Sequence, residues 1–329
     1  MYSVQDGNDR AQVEFTGMGT VATVNGLWIT RDVDMTISDG ANVILTGCSE
    51  YLSSGGCWAS SIGRSFASTC GNSSRMVVDN ATFTITFREV DDVMYLQGFA
   101  VGAAYKAKGG SGTLFTLQNN ARLSLTGTGR FFVGIANDRA DADSKNCVLN
   151  VLDGSTFDGS STKLEVGANG DTSFCGVNVS NATVNCKAVY IGSVHSVTAS
   201  SNDFLNVSGA AARINIASAD ADSLKLRMGA QLKFTLPENG FATTPIVTAG
   251  GVTVYDDENN AAVDPVKLVI DGTAFNGSEQ TLIECATDST AAFQKLIANH
   301  TGQRKGKLLI KDGGTKLVYV KPGMKIVIR

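Results

Sequence analysis

Short runs of alternating apolar and polar residues recur along the whole chain, and each run is followed by a turn and a second run. The common form is apolar–x–apolar, then Asp, Asn, Gly or Ser, then a small residue, and then apolar–x–apolar again. Alternation with a period of two predicts strands that have one buried side. Helical spacing is scarce, and only the segment around Thr290 to Ala298 (TAAFQKLIA) is predicted to be a helix.

The phrase returns at a fixed step in the centre of the chain. CVLNVLDGSTF begins at Cys147, CGVNVSNATV at Cys175 and DFLNVSGAAARI at Asp203, so consecutive copies are 28 residues apart. Such a period is typical of solenoids and propellers, but a propeller blade would need about 40 residues every time. The chain is therefore predicted to be all-β: a single-domain, right-handed, single-stranded parallel β-helix (β-solenoid) over residues 1–329, less regular after about residue 237.

Stacked coils predict which side chains lie above one another. Asn150, Asn178 and Asn206 share one position between inward apolar neighbours, so they are predicted to stack outward with amide hydrogen bonds; the alternative is a chance recurrence of Asn. Longer loops are predicted near 47–74 and 90–112, and also near 137–146. The first apolar residue after each turn defines a second ladder: Val43, Phe83, Leu123, Phe157, Val184, Ile214, Leu232, Phe275 and Leu317.

The cysteines fit the same scheme. Cys147 and Cys175 occupy one position in consecutive phrases, so stacking places their Cα atoms about 4.8 Å apart, within the range for a disulfide. Cys48, Cys57 and Cys70 lie in a Gly/Ser-rich segment, which one disulfide would staple. No CxxC pair is present, so the sequence predicts neither a zinc site nor any other cofactor.

Composition narrows the classes of function. The chain has 329 residues, of which 43% are hydrophobic and 18% charged, so it can bury a large core. No apolar run is long enough to cross a membrane, and a net charge of −4 argues against nucleic acid as a partner. We expect a secreted protein whose signal segment, if it had one, has been removed. Tryptophan occurs only at Trp28 and Trp58, so a sugar-stacking surface is poorly supplied.

Acidic residues supply the remaining candidate chemistry. Asp138, Asp141 and Asp143 are calcium candidates, although the segment lacks the Gly and the final Glu of an EF-hand loop. Acidic residues in loops are usually solvated surface, so the chain is not predicted to be an enzyme. The alternative is a polysaccharide-active β-helix enzyme whose groove gathers carboxylates from different coils, namely Asp91, Asp92 and Asp203.

These repeated phrases, together with the closing segments FTLPENGFATTPIVTAGGVTVYDDENN and GKLLIKDGGTKLVYV, resemble the passenger β-helices of bacterial autotransporter and strand-repeat surface proteins. The resemblance extends over nearly the whole chain. It implies an extracellular, cell-surface, non-enzymatic β-solenoid that adheres, coats or assembles. No membrane barrel follows MKIVIR, which departs from the autotransporter pattern, and a phage tail-spike or fibre protein is the alternative.

Charge is distributed unevenly between the ends of the chain. Residues 1–50 contain seven acidic and two basic side chains, whereas residues 301–329 contain eight basic and one acidic. In a solenoid these segments lie at opposite ends of a rod, which predicts head-to-tail self-assembly into a filament or surface layer. The alternatives are a basic tail that discourages edge pairing and one that docks on an anionic cell surface, where a glycan is the second candidate partner. The residues assigned to the joint are Asp32, Asp34, Asp39, Lys321, Lys325, Ile326, Ile328 and Arg329.

Overall fold

The structure, a computed structural model, is mostly β-strand. It describes residues 11–29, 33–46, 60–65, 73–87, 98–104, 111–136, 143–168, 171–192, 202–227, 229–255, 264–302 and 306–321. Within these ranges the chain forms long parallel sheets, one α-helix and one short 3₁₀ turn. The all-β prediction is therefore confirmed.

The first sheet consists of ten parallel strands, and each strand pairs with its counterpart in the next repeat. Parallel neighbours require a connection that returns the chain to the same end of the sheet, and the other strands of each repeat lie in that connection. The strands, in spatial order, are β1 (Ala11–Thr16), β4 (Val33–Ser38), β7 (Arg75–Asp79), β10 (Leu114–Gln118), β14 (Val148–Leu152), β17 (Gly176–Ser180), β19 (Phe204–Ser208), β22 (Gln231–Thr235), β25 (Lys267–Asp271) and β27 (His300–Thr301).

The second sheet has 17 strands, most of which form two adjacent columns of parallel strands. Counting the first sheet as the first column, we call these the second and the third column. The long strands β15 (Thr156–Ala168) and β18 (Thr183–Ile191) belong to both columns. The second column also contains β2 (Val21–Val24), β5 (Asn42–Leu45), β8 (Thr82–Thr86), β11 (Arg122–Thr126), β20 (Arg213–Ile216), β23 (Ile246–Thr248) and β26 (Glu279–Cys285). The third column also contains β3 (Trp28–Ile29), β6 (Ser60–Ser65), β9 (Gly98–Ala104), β12 (Gly129–Ala136), β21 (Leu224–Arg227) and β24 (Val252–Tyr255).

The C-terminal end departs from the parallel order. Strand β29 (Lys316–Val320) is antiparallel to both β26 and β28 (Lys307–Lys311), and the 3₁₀ turn Asp312–Gly314 connects β28 to β29. Helix α1 (Thr290–Ala298) packs against β24, β25 and β28, and its bounds confirm the predicted helix. A further short pair, β13 (Asp143–Lys145) with β16 (Asp171–Ser173), lies beside the main sheets. Parallel pairing thus continues past residue 237 and ends at β29.

One hydrophobic core runs between the three columns. The predicted ladder is confirmed from Val43 to Ile214, because consecutive members are register partners on β5, β8, β11, β15, β18 and β20. Aromatic rings from neighbouring strands interlock in this core. Phe131 lies 5.4 Å from Phe99 and 5.1 Å from Phe157 between ring centroids. Each fully buried ring contributes about 1.5–3 kcal/mol of transfer free energy.

Of the last three members of that predicted ladder, Leu232 and Phe275 are wrong. Leu232 is the register partner of Leu205 in the first sheet, and the true partner of Ile214 is Ile246. The phrase LKLRMGAQLKF has the form of a repeat, but it joins β21 of one repeat to β22 of the next. The 18-residue step from Ile214 to Leu232 is therefore not a repeat length. Phe275 lies outside the strands. Leu317 lies on the antiparallel β29 but continues the ladder, because it is the register partner of Ile283, which pairs with Ile246.

Two of the predicted loops contain strands of the third column. β6 lies within 47–74 and β9 within 90–112. β9 reads GFAVGAA because it is buried on both sides: Val101 faces the main core, whereas Ala100 and Ala103 belong to a second apolar cluster. A strand buried on both sides has no alternating pattern, which explains the error.

Candidate ligand-binding surface

The two stacked cysteines are reduced thiols, and the predicted disulfide between them is not formed. Both are completely buried, and the two thiols are within hydrogen-bonding contact of each other. Cys175 Sγ donates to the Ser144 carbonyl at 3.4 Å, and Cys147 Sγ donates to the Lys145 carbonyl at 3.6 Å. Stacking is therefore as predicted, but each S–H group is engaged by the backbone. Burial raises the pKa of the Cys175 thiol well above its usual range, which makes it a poor nucleophile.

Asp203 continues this ladder inside the protein. Its side chain is fully buried, and Oδ1 accepts a hydrogen bond from the Cys175 backbone N–H at 2.9 Å. A carboxylate in this position cannot reach a polysaccharide on the surface, which removes Asp203 from the enzyme alternative. Asp91 and Asp92 lie outside the described residues.

Two glycines make room for this buried polar ladder. Gly134 and Gly167 are equivalent residues of β12 and β15, with φ of 72° and 67°. A Cβ atom at Gly134 would overlap Cys175 Sγ, and one at Gly167 would overlap the Asp203 carboxylate. Glycine is thus required there both by the left-handed backbone and by the close approach of the neighbouring side chain.

Three of the predicted joint residues, Asp34, Asp39 and Lys321, lie in the described part of the chain. Asp39 occupies a turn, where Oδ2 accepts hydrogen bonds from Thr16 Oγ1 at 3.0 Å and Ser38 Oγ at 3.3 Å. Asp34 lies on β4 as the register partner of Arg75, and Lys321 follows β29 with its backbone N–H donated to Ser278 O at 3.0 Å. The other predicted joint residues lie outside the described part: Asp32, Lys325, Ile326, Ile328 and Arg329.

Ion pairs also reduce the basic character of the C-terminal end. Lys311 Nζ is 2.7 Å from Glu279 Oε2, and Lys316 Nζ is 3.7 Å from Glu284 Oε1. Both glutamates belong to β26, which is remote in sequence from the basic segment. Charge counted along the sequence therefore overestimates the field at this end.

Most of the remaining predicted residues lie outside the described part of the chain. Cys48, Cys57 and Cys70 lie outside them, as do Asp138 and Asp141 of the calcium candidates. Asp143 begins β13. Across the part of the chain that is described, no three His, Cys, Asp or Glu side chains are placed to hold a metal ion.

A surface that the sequence did not reveal lies on the outer side of the third column. Alternation on its strands points Leu164, Val189, Leu224 and Val254 into the core, so their neighbours point outward. We call these outward residues, with one turn residue before β21, the cation–aromatic cluster: Arg130, Lys163, Glu165, Tyr190, Asp222, Lys225, Arg227 and Tyr255.

Tyrosine rings and cations alternate in this cluster. Lys225 Nζ lies 4.6 Å from the Tyr190 ring centroid and 5.4 Å from that of Tyr255. Arg227 Cζ lies 5.8 Å from both centroids, and Lys163 Nζ is 5.3 Å from that of Tyr190. Cation–π contacts hold the side chains in place while their edges remain accessible. Tyr255 is 48% exposed, whereas Lys225 is only 8% exposed.

The cluster has an excess of positive charge. It contains four cationic and two acidic side chains, and the acidic ones are both paired: Glu165 Oε1 is 3.5 Å from Arg130 Nε, and Asp222 contacts Lys225. Among the described residues, Lys163 and Arg227 form no ion pair. The arrangement can therefore bind an anion through these two cations.

This environment shifts the pKa of one carboxyl group, Glu165, and of one phenol group, Tyr190. Burial raises the pKa of Glu165, although Arg130 and Lys163 oppose the rise. Burial also raises the pKa of Tyr190, with Asp222 adding to it, so its hydroxyl stays protonated and can donate a hydrogen bond.

Little in the sequence points to this cluster, because its members are distributed over β12, β15, β18, β21 and β24. The scarcity of tryptophan does not exclude aromatic contacts with a ligand, because tyrosine supplies the rings of this cluster. The usable signals were LKLR and VTVY, where polar residues alternate with buried apolar ones.

Comparison with known proteins adds no relative: no family model, curated protein or solved structure matches the chain. Over the described residues, no helix has the length and apolar character needed to span a membrane.

Proposed function

We propose that this chain is an extracellular, right-handed parallel β-helix that acts as a non-enzymatic adhesion protein and binds carbohydrate on a cell surface. The cation–aromatic cluster is the observation that carries this proposal. Sugars bind proteins through aromatic rings and fixed hydrogen-bond donors. Tyr190 and Tyr255 supply ring edges and hydroxyl groups beside Lys163 and Arg227, which form no ion pair in the described part of the chain.

Strand order supports the β-helix. Strands of all three columns pair in parallel with the next repeat, which agrees with about ten coils stacked along one axis. Parallel crossover connections are right-handed in about 98% of cases, which is the basis for the proposed hand.

The C-terminal end favours adhesion over head-to-tail assembly. A joint made by strand addition needs an unpaired edge. β29 covers β26 and β28 covers β29, so β28 is the edge strand at this end of the described sheet. Lys307 and Lys311 bracket β28, and lysine on an edge strand discourages further pairing. The side of the molecule therefore offers a better binding surface than this end.

The test is a glycan array probed with the purified chain, followed by titration of the bound glycans. We expect binding that falls about tenfold in Tyr255→Ala, because an aromatic contact and its hydroxyl are both lost. Phe174→Ala is the matched control, since Phe174 is 53% exposed and outside the cluster. Absence of any bound glycan, or equal losses in the two variants with unchanged melting temperatures, would contradict the proposal.

A further inference from the structure

We infer that the ligand is a linear anionic polysaccharide that lies diagonally across strands β12, β15, β18, β21 and β24. This inference rests on the proposed function and specifies its substrate class.

The strand register defines the path. Arg130 and Lys163 are direct register partners on adjacent strands. Glu165, Tyr190 and Lys225 are register partners on β15, β18 and β21, two residues further along the strand direction. Arg227 and Tyr255 are partners two residues further again. The cluster therefore crosses five strands obliquely. This path agrees with the twist of a β-sheet, in which each strand is rotated relative to its neighbour.

The length of this path indicates a polymer. Five strands span four inter-strand spacings, or roughly 19 Å along the stacking direction. A monosaccharide or a single carboxylate would occupy only one part of such a surface. An extended chain whose sugar repeat is close to the strand spacing can place successive sugars beside successive strands.

The positions of the charges indicate an acidic polymer. Lys163 and Arg227 lie two strands apart, with Tyr190 between them. Each has its charge within contact of an aromatic face and no carboxylate partner in the described residues, so each can accept an anionic group at little desolvation cost. A neutral glycan would leave both cations without an anionic partner, whereas carboxylate or sulfate groups two sugars apart would pair with them.

A length series tests the inference. Affinities of carboxylated oligosaccharides, oligogalacturonides from the disaccharide to the octasaccharide, are measured by calorimetry beside sulfated and neutral series of the same sizes. We expect affinity to rise with length and level off once the chain spans the five strands. The double variant Lys163→Ala/Arg227→Ala should lose about a hundredfold for the longest acidic oligomer and have a shallower salt dependence.

Lys233→Ala is the matched control. Lys233 is also a cation over an aromatic ring, 4.7 Å from the Phe204 centroid, but it lies on the first sheet. Its loss should leave affinity unchanged. If Lys233→Ala weakens binding as much as the double variant, the ligand does not follow the cluster.

Each remaining outcome has one interpretation. Equal affinity of disaccharide and octasaccharide would overturn the extended path and leave carbohydrate binding intact. Equal affinity for neutral and acidic series would overturn the charge requirement alone. Failure of every oligosaccharide would remove the proposed function as well. Binding of single-stranded DNA as tightly as an acidic oligosaccharide of similar length would overturn the assignment of a glycan. Preference for the sulfated or the carboxylated series identifies the anionic group.

Discussion

The outer side of the first sheet and the outer side of the third column use stacked positions in opposite ways. On the first sheet, Asn178 Nδ2 donates to Asn150 Oδ1 at 2.8 Å, and Asn206 Nδ2 donates to Asn178 Oδ1 at 3.1 Å. Each central amide both donates and accepts within the ladder. On the third column the stacked residues Glu165, Tyr190 and Lys225 are chemically different. Their polar and charged groups therefore remain directed toward the outer surface.

This difference separates structural repetition from a binding surface. Identical stacked side chains satisfy one another, so the surface they form has little left to offer a ligand. Stacked side chains of different kinds cannot all form hydrogen bonds with one another along the ladder. Polar and charged groups therefore remain available to a ligand where the repeated residue changes. The comparison predicts that the Asn ladder contributes stability and that the cation–aromatic cluster contributes affinity.

A cavity in the core that supports both surfaces should have the largest effect on stability. Phe131→Ala removes a fully buried ring that packs against Phe99 and Phe157, and we expect a loss of about 3–5 kcal/mol in the free energy of unfolding. Chemical denaturation measures it. Phe131→Leu is the control and should lose less, because it leaves a smaller cavity. Equal effects of the two variants would show that the ring packing is not what matters.

Gly134→Ala tests the packing between the first sheet and the third column. The variant forces a left-handed backbone on alanine and overlaps Cys175 Sγ, so we expect a loss of about 2–3 kcal/mol. Gly313→Ala is the matched control, since its φ is 66° and a Cβ there meets nothing within 4 Å. It should lose about 1 kcal/mol from backbone strain alone. Similar losses in both variants would contradict the close approach at Gly134.

Asn178→Ala should lower stability without changing ligand affinity. It removes both hydrogen bonds of the central amide, each worth about 0.5–1.5 kcal/mol. The double variant at Lys163 and Arg227 should show the reverse: lower affinity and a melting temperature within error of the unaltered protein. A loss of affinity in Asn178→Ala, measured well below its melting temperature, would end the distinction between the two surfaces.

Lowering the pH should strengthen anion binding, and this is the smallest of the expected effects. Burial raises the pKa of Glu165 above its usual range, so Glu165 gains its proton at a higher pH than an exposed glutamate as the pH falls from 7, and its pairing with Arg130 weakens. The folded state holds this proton more tightly than the unfolded chain does, so protonation at Glu165 does not destabilise the fold. We expect affinity for a sulfated oligosaccharide, which stays charged, to rise about two- to threefold.

Glu165→Gln is the control for this titration. It should bind at pH 7 about as tightly as the unaltered protein binds at low pH, and its affinity should depend less on pH. The charges that act on the pKa of Glu165 are those of Arg130, Lys163, Lys225 and Arg227. An unchanged pH profile in the variant would assign the pH effect to a group other than Glu165.

Much of the fold could be predicted from the sequence wherever one side of a strand is buried and the other is not. Asn150, Asn178 and Asn206 were placed correctly because the 28-residue period and the alternating pattern agree there. The third column was missed at β6 and β9, since burial on both sides removes the alternation. None of the cluster could be predicted without the register of that column.

What the sequence determined by itself is the local chemistry: which residues alternate, where turns occur, and that Thr290–Ala298 forms a helix. These follow from backbone propensity and the period of apolar residues, which need no distant contact. Tertiary structure decided the rest. It turned Asp203 inward, paired Lys311 and Lys316 with glutamates of β26, and brought Tyr190 and Tyr255 to the same cations. Stacking joins residues by register rather than by nearness in sequence, so charge and burial at a surface are set only after the strands have paired.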